Sequence, residues 1–60
     1  MVNFEEYINK YDMNIREFDN FFIGYICEEI KNNKTSIKKL KEIVKDYEKN
    51  CIRLLESKKY

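Results

Sequence analysis

The sequence predicts an all-α fold, and three observations carry the prediction. Apolar residues recur at three- and four-residue spacing in three separate segments. A residue suited to helix capping stands before each segment. The one β-like run, Phe21 to Cys27, has no hairpin turn and no second strand beside it. The expected architecture is a short N-terminal helix followed by an antiparallel helical hairpin, a three-helix unit in a single domain spanning residues 1–60. Such a unit is expected to dimerise into a larger bundle. A chain this short buries only about 60% of its unfolded surface, so a second copy is the simplest source of additional core.

The first helix, over about residues 3–11, opens at Asn3 with Glu6 three residues on, the spacing of a capping box. Phe4, Tyr7, Ile8 and Tyr11 share its apolar face. Asp12-Met13-Asn14 is a short corner, and Asn14 with Glu17 repeats the box at the head of the second helix, over about 14–32. Asn32 and Asn33 suit its C-terminal end, where one residue turns left-handed. Thr35 or Ser36 caps the third helix, over about 35–58. There Ile37, Leu40, Val44, Tyr47, Cys51 and Leu54 repeat at strict 3-4 spacing, the seam that packs helix on helix, and Ile43, Ile52 and Leu55 widen it.

The second helix is apolar beyond the needs of a single neighbour. At 100° per residue its large apolar side chains cover roughly 240°, against a little over 100° for a helix packed on one side. It therefore calls for two or three neighbours, the third being another subunit. Gly24, the only glycine, is expected to distort it. Charge is also sorted along the chain. Residues 1–30 carry seven acids and two bases, and residues 31–60 carry ten bases and four acids, a division that steers the chain's own pairing.

Several chemistries are excluded. With no histidine, the commonest general base and metal ligand is missing, and no Ser-His or Cys-His pair exists. One glycine cannot build a phosphate-cradling loop. No catalytic residue, cofactor or metal is therefore assigned, and the chain is expected not to be an enzyme. Cys27 and Cys51 would lie some 15 Å apart in a hairpin turning near Asn33, too far for a bridge, and are expected to be small buried hydrophobes. Asp19 and Glu29 fall inside the apolar arc and are expected to meet a lysine or a subunit edge. The N-terminal segment lacks the basic and apolar regions of a signal peptide, and no run is long enough to span a bilayer, so no membrane partner and a cytoplasmic location are expected.

Binding is the function that is left. Lys38, Lys41, Lys45, Lys49 and Arg53 form a basic stripe on the third helix, the candidate partner-binding residues. Glu42 and Glu56 are spaced to pair with Lys38 and Arg53. The sequence pI of about 7.7 lies well short of nucleic-acid modules, which usually exceed 9. Phe21, Phe22, Tyr25, Cys51, Leu54 and Leu55 are the candidate oligomer interface. The expected function is a small regulatory or adaptor protein that associates with itself and binds a protein partner through a helical face, inhibition being one mode of action. The alternative is a dimeric nucleic-acid-binding protein using the basic face of the third helix.

Overall fold

The computed structural model describes residues 2–33 and 35–60. It contains three helices, α1 (Phe4–Tyr11), α2 (Ile15–Lys31) and α3 (Ile37–Glu56), which hold 78% of the described residues, and no strand among them. The three helices pack as one unit whose longest dimension is 34 Å, close to the length of α3.

The core is built around α1. Phe4 is completely buried and meets the rings of Phe18, Phe21, Phe22 and Tyr25 edge-on at centroid distances of 5.1–6.1 Å. Such edge contacts contribute roughly 0.5–1.5 kcal/mol each beyond burial. Ile8, Met13, Phe18, Ile43 and Leu54 complete the buried apolar set. The corner residue Met13 thus plugs the junction of α1 and α2.

The helix ends follow the sequence with two exceptions. Asn14 and Glu17 form the full capping box, with bonds of 2.9 and 3.0 Å. Ser36, not Thr35, caps α3 by accepting from the Lys39 N–H at 3.2 Å. Thr35 instead donates to the backbone oxygen and carboxylate of Glu29. Asn33 takes the left-handed conformation at the hairpin turn, as does Asp12 at the corner.

The first exception is Asn3, whose side chain makes no cap bond. The Phe4 N–H donates to Asp46 Oδ2 of α3 at 2.7 Å, so α1 is capped across the fold by a residue 42 positions away. The second is the end of α3, which stops at Glu56, two residues short of expectation. Lys58 turns left-handed, and the Lys59 carbonyl accepts the Ile15 N–H at 2.8 Å, satisfying an orphan donor at the start of α2.

Three further expectations are corrected. Gly24 causes no distortion: α2 runs unbroken through it, and open space surrounds the position of its missing Cβ. Cys27 is exposed rather than buried, and only Cys51 is partly covered; both are free thiols. The inward face of α3 is rotated from the predicted seam. Ile43, Asn50 and Leu54 are buried and Tyr47 half-buried, while Ile37, Val44, Ile52 and Leu55 face outward. The inward set 43-47-50-54 also repeats at 3-4 spacing, but it contains an asparagine. Asn50 is 2% exposed and pays its hydrogen bonds to Asp46, donating to the backbone oxygen at 2.8 Å and the carboxylate at 3.3 Å. Asp46, one turn before Asn50, accepts from the start of α1, and in this orientation the predicted seam lies partly outside the core.

Candidate binding face

The sorted charge is used within the chain. Glu5 pairs with Arg53, Asp12 with Lys59, and Glu29 with Lys39. In every described ion pair an acid from the first half meets a base from the second. Exposed pairs of this kind contribute little energy, typically 0.2–1 kcal/mol, but they favour one pairing of helices over others. The two acids inside the apolar arc of α2 are both partnered. Glu29 takes Lys39 and Thr35, and Asp19 accepts from the Tyr47 hydroxyl at 2.7 Å. The Asp19 bond, with the neighbouring Cys51 and partial burial, pushes the Tyr47 hydroxyl well above the ordinary tyrosine range. Burial likewise raises Tyr25 and Cys51.

The basic stripe does not act as one surface. Arg53 turns onto α1, where it meets Glu5 and Asn9 rather than Glu56 of its own helix. Lys38, Lys41, Lys45 and Lys49 are exposed. Lys45 and Lys49 border a cleft of about 290 Å³ that also carries Val2, Glu42 and Asp46, so acid and base alternate there. Lys41 and Lys45 border a different surface, a shallow cleft of about 340 Å³ whose floor is Ile37, Leu40 and Val44.

This second cleft belongs to a larger apolar face. Asp46 and Arg53 turn one flank of α3 toward α1, while Tyr47 and Lys39 face α2. At 100° per residue, Ile37, Val44, Cys51 and Leu55 lie on the far flank, away from α1. On α2, Phe21 faces Tyr7 and Phe4 of α1, and Phe22 stacks on Tyr47 of α3 at 3.9 Å. By the same geometry Ile23 and Ile30 fall on the side away from α1. The hairpin therefore presents an apolar face from both helices. Ile23 is 59% exposed, Ile30 65%, Ile37 75%, Val44 41% and Leu55 51%.

The interface residues expected from sequence divide accordingly. Phe21, Phe22 and Tyr25 pack against Phe4 or Tyr47, and Leu54 is buried. These four serve the chain's own core, in which Phe4 of α1 and Tyr47 of α3 meet the rings of α2. Leu55 lies on the uncovered face, and Cys51, partly buried against the core, borders it. Ile23, Ile30, Ile37 and Val44 join them: Ile37 and Val44 belong to the seam that the spacing predicts for the core, and Ile23 and Ile30 to the apolar arc of α2.

Among the described residues no three acidic or cysteine side chains gather as a metal site, and no helix is long and apolar enough to cross a membrane. The chain matches no protein family, no curated protein and no solved structure.

Proposed function

We propose that the chain is a non-enzymatic regulatory or adaptor module that acts in the cytoplasm by binding protein through the apolar face of the α2–α3 hairpin. The observation that carries this reading is the exposure of five aliphatic residues, Ile23, Ile30, Ile37, Val44 and Leu55, on one side of a 60-residue chain. Together they expose on the order of 500 Å² of apolar surface, at the upper end of what soluble monomers leave bare. Burying such an area is worth on the order of 10 kcal/mol before the costs of association. Lys41 and Lys45 at its margin add a charged rim, the usual arrangement of a protein interface.

The nucleic-acid reading has weaker support. A phosphate-tracking surface needs an uninterrupted run of cations, whereas Glu42 and Glu48 interrupt this one and Arg53 is turned away. The two readings separate by photo-crosslinking. A photoreactive residue replacing Val44 is expected to capture polypeptide in nuclease-treated extract, and one replacing Lys49 to capture little. Nucleic acid recovered from the Lys49 position, with nothing at position 44, refutes the protein-binding reading.

A further inference from the structure

Building on the reading of this face as a protein-binding surface, we infer that its occupant is a second copy of the chain, docked with the two α3 helices antiparallel across a two-fold axis. The outward strip of α3 reads Ile37, Lys41, Val44, Glu48, Cys51, Leu55, an alternation of four and three. This is a helix-pairing repeat left without a partner in the single chain.

The strip is matched at its two ends. Its apolar ends, Ile37 and Leu55, lie equally far from the level of residue 46, with Lys41 and Lys45 before the centre and Glu48 after it. A two-fold interface must be self-complementary, and antiparallel docking about that level meets the condition. Ile37 then faces Leu55 of the second copy. Each Glu48 falls level with Val44 opposite, about 1.5 Å along the axis from Lys45 and about 4.5 Å from Lys41. Parallel docking would stack Lys41 on Lys41 and Glu48 on Glu48.

The area agrees with this assignment. If the docking also covers Ile23 and Ile30 of α2, and about 65% of a homodimer interface is apolar, an exposed apolar face on the order of 500 Å² implies about 800 Å² per copy. That is the size of a standard stable interface.

The test uses the full chain. Sedimentation equilibrium at tens of micromolar is expected to give twice the 7.4 kDa chain mass. A chain carrying K41E and K45E, and another carrying E48K, should each dimerise at least about tenfold more weakly, a change of about 1.4 kcal/mol. Their equimolar mixture should recover a heterodimer, because each Glu-rich strip then meets a Lys-rich one. In a background lacking Cys27 and Cys51, I37C and L55C chains should form disulfides when mixed and not alone. Like positions would sit about 27 Å apart, 18 residues at 1.5 Å each. Helicity by circular dichroism checks that every variant folds.

A monomer at 100 μM overturns the inference, as does crosslinking of I37C to itself as readily as to L55C. The wider reading fails separately. A monomer whose position 44 still captures another protein keeps the binding face and loses only the second copy. A dimer indifferent to the charge exchange and to substitution of Val44 overturns both.

Discussion

Replacing Asp46 by alanine tests the least expected contact in the fold, the capping of α1 from α3. The Phe4 N–H is one of the donors that an α-helix leaves unsatisfied at its start, and Asp46 Oδ2 accepts it at 2.7 Å. Loss of an N-cap acceptor costs about 0.5–2 kcal/mol. A hydrogen bond to a charged acceptor is worth about 1.5–3 kcal/mol, and the carboxylate also opposes the positive end of the helix dipole. These figures describe one interaction and overlap, so the expected loss is about 2 kcal/mol. Asn50 raises it slightly by losing its longer bond to the carboxylate while keeping the backbone oxygen. At the usual 0.05–0.15 kcal/mol per residue, a chain of this length has about 3–9 kcal/mol in all. Asp46→Ala should therefore lower the urea midpoint markedly and expose the α1 amides to hydrogen exchange before those of α2. Asp46→Asn, which keeps an acceptor without the charge, should lose about half as much. Asn3→Ala is the control, expected to fall within about 0.5 kcal/mol of the parent because its side chain caps nothing. If Asn3→Ala costs as much as Asp46→Ala, the cap is local after all and the cross-fold argument is refuted.

Three other perturbations read the core and its surroundings. Phe4→Ala removes the ring on which four others converge and should cost about 3–5 kcal/mol, enough to leave a large fraction of the chain unfolded at 25 °C; retention of a cooperative thermal transition near the parent's would show that α1 is dispensable. Gly24→Ala adds a methyl group into open space in mid-helix and should stabilise by about 0.5–1 kcal/mol, raising Tm by several degrees; a fall in Tm would show that the site is not free. The fold holds Tyr25 and Tyr47 protonated above their ordinary value of 10, so the stability this provides is complete below that pH and lost as pH rises past it, when the unfolded chain ionises first. Each contributes a slope of up to about 1.4 kcal/mol per pH unit, and Tyr47→Phe should make the alkaline decline shallower; an unchanged slope in urea titrations at increasing pH would contradict the role given to Asp19.

Much of the fold is legible in the sequence because it rests on local chemistry. The Asn14–Glu17 box, the Asn33 turn and the Asp12 corner each depend on residues within a few positions of one another, and each is found where the spacing puts it. What sequence reading missed is long-range. Asn3 satisfies the rule for a capping box, yet Asp46 reaches the same helix start from 42 residues away. No local pattern marks that bond. The rotation of α3 has the same origin. By hydrophobicity alone Val44 outranks Asn50 as a core residue, yet Asn50 is the one buried, with both hydrogen bonds of its amide made to Asp46. The site was legible in kind but not in detail. An apolar excess on α2 was evident, but its aromatic members went to α1, leaving the isoleucines as the exposed remainder.

That remainder bears on function because the chain's charged surface is largely accounted for. The first-half acids Glu5, Asp12 and Glu29 are matched to second-half bases, and Asp19 is bonded to Tyr47. The remaining lysines of α3 stand among Glu42, Glu48 and Glu56, and a net charge of +1 exerts little long-range pull on a polyanion. Water solvates such a surface without penalty, so it creates no pressure toward a partner. The isoleucines are different. Each exposed aliphatic side chain, already partly covered, forgoes roughly half of the 1.5–3 kcal/mol that full burial would supply. In a small fold whose entire stability is only a few kcal/mol, the gain forgone at Ile23, Ile30, Ile37, Val44 and Leu55 is comparable to the stability of the single chain. The same free energy is recovered when another surface covers them. On this account association and folding are linked, and the chain should become more resistant to urea as its concentration rises.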